Sequence, residues 1–188
     1  MKRLIGLITA VLGLALTASS ASAADAWSDL TQPGAIVLFR HATAPGIGDP
    51  AEFKLNVCTT QRNLNDQGRA EARKLGEQFR SRKITVGAVL TSQWCRTRDT
   101  ARLAFGNDVV KDEPVFNSAF RTSAEIGDAQ AAQARVILSR WRGPGTLVVV
   151  THQVNITALT GMSAASAEGV VVRLAADGSL KVVGSVTP

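Results

Sequence analysis

The two histidines of this sequence occupy equivalent positions, each just after an apolar run. His41 follows Arg40 and the apolar residues 35–39, and His152 follows residues 146–150 after a single threonine. A single histidine after a strand usually has a structural role, in which its ring makes a hydrogen bond. Because the sequence has only 2 histidines and both share this placement, we expect their side chains to act together.

Two arginines accompany the histidines: Arg40 directly precedes His41, and Arg96 follows a third apolar run at residues 86–90. Guanidinium groups repel divalent cations, so we expect neither a metal nor another cofactor here. Their planar fork of donors instead matches phosphate oxygens. Surrounding positive charge also lowers a histidine pKa, which leaves an imidazole nitrogen free to attack phosphorus. The pattern predicts phosphoryl transfer through a phosphohistidine.

The elements that must position these residues alternate between apolar strands and amphipathic helices. We therefore predict an α/β fold, a three-layer α/β/α sandwich with a mostly parallel central sheet. In such sheets ligands bind beyond the carboxyl ends of the strands, where both histidines are expected. The predicted strands are 35–39, 86–90 and 146–150, and the predicted helices are 65–80 (with Asn65 as N-cap), 95–105, 128–141 and 154–159.

The C-terminal segment and the alanine-rich helix each allow a more specific prediction. Residues 170–174 and 180–186 flank Asp177 and Gly178, a strong turn signal that predicts a C-terminal hairpin. In the alanine-rich helix at 128–141, the spacing predicts that the core face carries four residues. These are Ala132, Val136, Ile137 and Trp141.

The N-terminal segment has the features of a secretory signal peptide. A basic start precedes an apolar stretch at residues 4–18, and small residues at 21–23 supply a cleavage site. The stretch is shorter than the roughly 20 residues of a membrane-spanning helix, so an uncleaved anchor is the weaker interpretation. We predict a signal peptide at residues 1–23 and one domain at 24–188. The expected product is a periplasmic or secreted bacterial protein without stable membrane insertion.

The charge balance disfavours a nucleic-acid partner. The chain has 188 residues, 21 Lys and Arg against 15 Asp and Glu, a net charge of +6 and no tyrosine. Its basic residues between positions 62 and 83 are scattered, which is typical of a solvated helix face rather than a basic stripe with interleaved aromatics. Small anionic substrates remain compatible with this charge.

The motifs around these residues resemble those of the histidine phosphatase superfamily, the phosphoglycerate mutase-like proteins. Residues 38–42 resemble the Arg-His-Gly signature, with Ala42 in place of the glycine, and residues 91–101 resemble the helix start that carries the family's second arginine. The other matching segments are 62–72, which is similar to the leucine–glycine segment and its helix, and 149–152 with 159–161, which is similar to the last motif.

The resemblance implies a role for each matching residue. His41 would be the phosphorylated nucleophile, and Arg40, Arg96 and His152 would form the phosphate pocket. Thr43 and Gln153, beside the two histidines, are the candidate substrate-binding residues.

The leaving-group acid of the family has no clear counterpart. The family supplies a glutamate between the second and third core strands or an aspartate after the second histidine, but Gln153 occupies the latter place. Glu113 and Glu125 are the remaining candidates for a proton donor. Without a general acid, the better substrates are those whose phosphoryl group is attached to a good leaving group.

Little sequence remains for a capping insertion, which indicates an open pocket and a large substrate. A phosphorylated envelope sugar or a phosphoprotein is expected, and inorganic phosphate is an expected ligand. The alternative is a non-catalytic phosphate-binding module on the same fold. An exported protein would not meet the glycolytic pool, which argues against a phosphoglycerate mutase. The sequence does not indicate the oligomeric state.

The two cysteines, Cys58 and Cys95, are predicted to form one disulfide bond, because an even pair tends to bridge in an oxidising compartment. Two separate buried thiols are the alternative. A bridge would hold the neighbouring Arg96 in place.

Overall fold

The computed structural model describes residues 23–188, so the predicted signal peptide, apart from Ala23, lies outside the described residues. Six strands form one sheet within this range, and five α-helices and two short 3₁₀ turns surround it. The strands are β1 (Ile36–Arg40), β2 (Val86–Thr91), β3 (Val110–Asp112), β4 (Thr146–Thr151), β5 (Gly169–Leu174) and β6 (Leu180–Val186). The helices are α1 (Ala23–Asp29), α2 (Asp66–Ser81), α3 (Cys95–Phe105), α4 (Ala124–Ser139) and α5 (Gln153–Thr160), and the 3₁₀ turns are Cys58–Thr60 and Pro114–Phe116.

The sheet has the order β3-β2-β4-β1-β5-β6. Its first four strands are parallel, and β5 and β6 add an antiparallel hairpin beside β1. Gly178 turns this hairpin with a φ of 81°, a conformation that glycine adopts without strain. The predicted α/β fold with a mostly parallel sheet and a C-terminal hairpin is confirmed.

Helices cover both faces of the sheet, which makes the fold three-layered. On one face Val37 and Phe39 of β1 pack with Leu75 and Phe79 of α2. On the other face Leu38 of β1 packs with side chains of α4 and α5. Successive strand residues point to opposite faces, so a strand covered on both sides is apolar throughout. This explains the continuous apolar runs that predict β1 and β4.

Helix α4 differs from its prediction in both boundaries and face. It begins at Ala124, because the Ser123 side chain accepts a hydrogen bond from the Ile126 amide and caps the helix. Its buried residues are Ala131, Ala134 and Leu138. The predicted Ala132 and Val136 are exposed, whereas Ile137 and Trp141 pack against the core from its margin, Trp141 after the helix has ended. A helix rich in alanine has a weak apolar stripe, so its spacing gave the wrong face.

Two elements have no counterpart in the sequence prediction. Strand β3 has three residues and one apolar side chain, Val110, which is too short for a periodic pattern. Helix α1 starts at the predicted cleavage site and packs against β6. Within the described residues, no helix is both long and apolar enough to cross a membrane.

The predicted disulfide bond between Cys58 and Cys95 is confirmed. It joins the 3₁₀ turn at Cys58–Thr60 to the first residue of α3, whose next residue is Arg96. The amide of Cys95 also donates to Oε1 of Gln61 at 3.0 Å. The long loop before α2 is therefore fixed to the helix that carries the second arginine.

Replacing Cys58 with serine is expected to lower the free energy of unfolding by about 4 kcal/mol, because the bond closes a loop with a sequence separation of 37. Urea denaturation of Cys58→Ser and of the oxidised wild type measures the difference. Wild type in reductant is the matched control and should unfold at the same urea concentration as the variant. A midpoint unchanged by either treatment would contradict the expectation.

Candidate active site

The topology of the sheet brings the two histidines together. Strands β1 and β4 are parallel neighbours, and Arg40 pairs with Thr151. His41 and His152 are the next residues on each strand, and the centroids of their rings lie 5.6 Å apart. The His41 amide donates to the Thr151 carbonyl at 2.9 Å, which continues the ladder to the edge of the site. Both rings are buried, each with 3% of the residue surface exposed.

The His41 ring is oriented by a hydrogen bond to its own neighbour. Its Nδ1 lies 2.8 Å from the Ala42 carbonyl oxygen, which can only accept, so Nδ1 carries the proton. The other ring nitrogen, Nε2, therefore holds a lone pair. Ala42 is itself fixed, because its amide donates to Oγ1 of Thr100 in α3 at 3.0 Å.

Burial lowers the pKa of His41 to about 3. The hydrogen bond to Ala42 opposes this shift, and the guanidinium groups of Arg96, Arg62 and Arg40 add to it. The pKa of His152 is also well below its usual value, again chiefly through burial and then through Arg96. Both imidazoles are neutral at pH 7, which is the state required of a nitrogen nucleophile.

His41 is expected to make the protein less stable in acid. The histidine pKa in the unfolded chain is about 6.5, against about 3 in the fold. As the pH falls below 6.5, the unfolded state binds a proton that the folded state does not, so the free energy of unfolding falls. Between pH 7 and pH 5 the loss from His41 is about 2 kcal/mol.

Urea denaturation at these two pH values tests this expectation by comparing wild type with His41→Gln. The wild type should lose about 2 kcal/mol more than the variant. His152 is present in both proteins and cancels in the comparison. Equal losses would contradict a neutral, buried His41.

Arg40 and Arg96 approach the histidines from two strand ends. Arg40 is the last residue of β1 and donates from Nη1 to the Ala164 carbonyl at 3.1 Å. Arg96 lies in the first turn of α3, after β2. The Nε atom of each arginine is buried and has no hydrogen-bond partner in the protein. Both arginines line the cavity beside the histidines, and phosphate oxygens are suitable acceptors for guanidinium groups.

Asp49 holds Arg96 in place, a role that the sequence analysis missed. Its Oδ1 accepts from Arg96 Nη1 at 2.7 Å and its Oδ2 from Nη2 at 3.2 Å. The indole of Trp94 and the amide of Arg62 also donate to this carboxylate. Burial raises the pKa of Asp49, but these donors outweigh burial and hold the pKa below its usual value. The only signal in the sequence was an aspartate between Gly48 and Pro50 in a loop beside the basic motifs.

Arg62 lines the site, although its spacing predicted a solvated helix face. It lies before α2 rather than on it, and its Nε donates to the Gly48 carbonyl at 2.9 Å. One Nη donates to the Ala44 carbonyl as well. These bonds fix the loop that follows His41 and place a third positive charge beside the two histidines.

Ser92 and Trp94 position His152. Nε2 of His152 lies 2.9 Å from Oγ of Ser92, and the indole of Trp94 meets the imidazole edge-on with centroids 5.4 Å apart.

A cavity of about 480 Å³ opens above these groups. Its inner wall holds the two histidines with the three arginines and Asp49, and its outer wall is largely apolar. The outer residues are Gly46, Ile47, Gly48, Phe53, Trp94, Ser118, Phe120, Arg121, Gln153 and Val154.

The structure brings only some of the remaining candidates to this cavity. Gln153 lies on the wall, and its side chain donates to Oγ of Ser163 at 2.6 Å. Thr43 is not on the wall, because its amide and hydroxyl both donate to Glu71 on α2. Its backbone is also close to α2, where a Cβ on Gly68 would lie 2.1 Å from the Thr43 carbonyl oxygen.

Neither candidate proton donor lies on the cavity wall. Glu113 caps the 3₁₀ turn after β3 by accepting from the Val115 amide. Glu125 is exposed in the first turn of α4 and accepts from Ser123. Both carboxylates serve local caps, so sequence distance was a poor guide to their position. Among residues 23–188, no group of three His, Cys, Asp or Glu residues could hold a metal ion.

Comparison with known proteins agrees with this geometry. The sequence profile described as "Histidine phosphatase superfamily (branch 1)" matches residues 36–116, from β1 to the second 3₁₀ turn. A search of curated proteins gave no significant match.

Many solved structures share the fold. They include the product of open reading frame Rv3214 from Mycobacterium tuberculosis, with a TM-score of 0.62 and 16% identity over 81% of this chain and 97% of that one. The protein histidine phosphatase SixA, complexed with tungstate, has a TM-score of 0.57 and 14% identity over 82% of this chain and 97% of its own. Phosphoserine phosphatase from Entamoeba histolytica, in complex with 3-phosphoglyceric acid, has a TM-score of 0.61 and 14% identity with the same coverages, 82% and 97%.

The matched profile covers the strand end with Arg40 and His41 and the helix start with Arg96. The remaining part of the site, His152 after β4, completes the same pocket in the fold. These findings support the expected class of enzyme, a histidine phosphatase-type phosphoric-ester hydrolase. Residues 36–116 thus match the profile of the histidine phosphatase superfamily, and the fold of the described residues is similar to that of solved phosphatases.

Proposed function

We propose that this protein is a periplasmic phosphatase that hydrolyses its substrate through a phosphohistidine intermediate on His41. One observation carries the proposal. His41 has a neutral ring with an unprotonated Nε2, and it lines one cavity with the guanidinium-bearing residues Arg40, Arg62 and Arg96. These arginines would hold a tetrahedral anion while its centre faces the nucleophile.

In the first step, Nε2 of His41 attacks phosphorus. A P–N bond forms, and the bond from phosphorus to the leaving oxygen breaks with its electron pair on that oxygen. Arg40 and Arg96 stabilise the charge on the equatorial oxygens, and the neutral ring of His152 lines the same cavity. The hydrogen bond from Nδ1 of His41 to Ala42 fixes the ring and supports the positive charge that develops on it.

In the second step, water attacks the phosphohistidine. The P–N bond breaks, its electron pair returns to Nε2, and the proton lost by water leaves with solvent or on the phosphate product. Because the pKa of His41 is about 3, the ring is released neutral and ready for another turnover.

The same site also allows the alternative, a non-catalytic phosphate-binding module. Of the described residues on the cavity wall, Asp49 is the carboxylate, and its oxygens already accept from Arg96, Trp94 and Arg62. A module without a leaving-group acid would bind phosphate and release it unchanged. The lone pair on Nε2 of the neutral His41 ring favours the enzyme, because binding alone has no use for a nucleophile.

An accessible cavity favours a substrate larger than a metabolite. The two candidates are a phosphorylated envelope sugar and a phosphoprotein. One structural relative is named a protein histidine phosphatase and another a phosphoserine phosphatase, so phosphorylated amino-acid side chains are substrates that proteins of this fold accept.

The periplasmic location is proposed from two features. The N-terminal sequence has the organisation of a secretory signal, and Cys58 and Cys95 form a bond that persists in oxidising compartments. Fractionation of cells that express the full chain tests it. The product should appear in the periplasmic fraction with the mass of residues 24–188, and a cytoplasmic product of full mass would contradict the proposal.

Trapping the intermediate tests the chemistry. The protein is mixed with ³²P-labelled acetyl phosphate, quenched in alkali and digested, and the labelled peptide is sequenced. The label should sit on His41, resist alkali and be lost in acid, as expected for a phosphoramidate. Tight binding of vanadate without any labelled enzyme or released phosphate would instead support the binding module.

A further inference from the structure

The outer wall of the cavity is aromatic, although the whole chain is poor in aromatic residues. Only 5% of its residues are Phe, Trp or Tyr, yet Phe53, Trp94 and Phe120 all line this cavity. Phe53 stacks on Trp94 with ring centroids 5.1 Å apart and an angle of 18° between the planes. Phe120 comes from a different loop and is 52% exposed. Exposed aromatic groups around a pocket mark a surface that binds apolar, planar partners.

The two loops that carry these rings meet at the mouth of the cavity. A Cβ on Gly48 would lie 3.7 Å from a ring carbon of Phe120 and 2.9 Å from Nη2 of Arg121. Ile47, beside Gly48, is 90% exposed and also lines the cavity. The part of the substrate beyond the phosphoryl group therefore passes between the apolar side chains of Ile47 and Phe120, beside the guanidinium of Arg121.

The inner wall limits the leaving group in a second, independent way. Asp49 accepts hydrogen bonds from Arg96, Trp94 and Arg62, and these keep its pKa below the usual value, so it is ionised at neutral pH. Glu113 and Glu125 lie off the wall. With no protonated carboxyl at hand among the described wall residues, the leaving oxygen must depart as an anion, which requires low basicity.

A phenol meets both requirements, because it is a planar aromatic ring and ionises near pH 10. We infer that the substrate carries its phosphate on a planar aromatic leaving group of the phenol type. This inference rests on the proposed phosphatase function and narrows its substrate. It favours a phosphoprotein with the phosphate on an aromatic side chain over a phosphorylated sugar.

The step balances without a proton donor. Nε2 of His41 forms the P–N bond, the P–O bond to the ring breaks, and the aryloxide leaves with the electron pair. The aryloxide then takes a proton from water at the open mouth of the cavity. Stacking against Phe120 and Phe53 holds the ring along this exit path.

Three substrates separate the two requirements. Phenyl phosphate is aromatic and leaves easily, benzyl phosphate is aromatic but leaves as a basic alkoxide, and cyclohexylmethyl phosphate is a saturated match for the benzyl compound. We expect kcat/KM, which reports the phosphorylation step, to fall at least about 100-fold from phenyl to benzyl phosphate, because general acid catalysis typically contributes a factor of that size or more. We expect KM to rise about three- to tenfold from benzyl to cyclohexylmethyl phosphate, because ring stacking is lost.

Phe120→Ala tests the aromatic wall directly. It should raise KM for phenyl phosphate about three- to tenfold more than it raises KM for acetyl phosphate, which has no ring. Ile126→Ala is the matched control, because Ile126 is also an exposed apolar residue, at 59%, but does not line the cavity. O-phosphotyrosine and glucose 6-phosphate then represent the two candidate substrates, an aromatic phosphoprotein and a phosphorylated sugar. We expect a higher kcat/KM for O-phosphotyrosine.

The outcomes distinguish the two levels of proposal. Turnover that depends on His41 but is equal for benzyl and cyclohexylmethyl phosphate, and is unaffected by Phe120→Ala, would overturn the aromatic leaving group alone. Equal kcat/KM values for phenyl and benzyl phosphate would show that a proton donor operates, which also overturns it. Absence of any His41-dependent turnover, with acetyl phosphate included, would overturn the proposed function itself.

Discussion

Replacing His41 with alanine is expected to lower kcat for phenyl phosphate by about 10³-fold or more, equivalent to about 4 kcal/mol of transition-state stabilisation. The variant removes the atom that forms the P–N bond. The guanidinium groups of Arg40 and Arg96 remain, so the anion pocket persists without its nucleophile. Initial rates of phosphate release, measured against the uncatalysed reaction, give the size of the loss.

Oxyanion binding provides the control for this variant. His41→Ala should still bind vanadate within about tenfold of wild type, because the charged donors that contribute most to such binding are retained. His152→Ala is the matched comparison, since the other buried ring of the pair is removed. If His152→Ala abolished labelling of the enzyme while His41→Ala kept it, the assignment of the nucleophile would be reversed.

The site residues that directly follow a buried strand could be predicted from the sequence. A strand buried on both faces is a continuous apolar run, so the ends of β1 and β4 can be recognised without any knowledge of contacts. Parallel strands place their carboxyl ends at one edge, which is why His41 and His152 meet. The disulfide bond was predictable because only two cysteines had to be paired.

The loop residues of the site could not be predicted in the same way. Asp49, Phe53 and Phe120 lie in segments without periodicity, and their positions depend on which distant groups the loops contact. Asp49 is fixed by Arg96, 47 residues away in the chain. The scattered basic residues around Arg62 predict a solvated helix face, whereas its hydrogen bonds to loop carbonyls place it in the site.

The candidate proton donors illustrate the same limit. Glu113 and Glu125 are near the site motifs in sequence, but each side chain makes a local hydrogen bond. Glu113 accepts from the Val115 amide, and Glu125 accepts from the Ser123 hydroxyl at the start of α4. Local capping is a short-range interaction that competes well with a distant role. A carboxylate near a predicted helix start is therefore a weak candidate for chemistry elsewhere.

Replacing Arg96 with alanine is expected to have the second large effect, on both activity and stability. It should lower kcat/KM by about 10³-fold, because a buried donor to the equatorial oxygens is lost. It should also lower the free energy of unfolding by about 2 kcal/mol, because Asp49 keeps its charge in a half-buried site without its cation. Steady-state kinetics and urea denaturation measure the two losses, and Arg98→Ala, which removes an arginine paired with Asp112 outside the cavity, is the control.

The role of Asp49 can be isolated in the background of this variant. Its carboxylate contacts both Nη atoms of Arg96, so we expect it to act on the substrate only through that guanidinium. Asp49→Asn should therefore lower kcat/KM about tenfold in wild type, because the arginine loses its ionic partner, and should have no further effect in Arg96→Ala. An equal loss in both backgrounds would mean that Asp49 reaches the substrate itself, as a proton donor would. A weakly basic leaving group would then no longer be required, because Asp49 could protonate it. Alkyl phosphates would become as suitable as aryl phosphates.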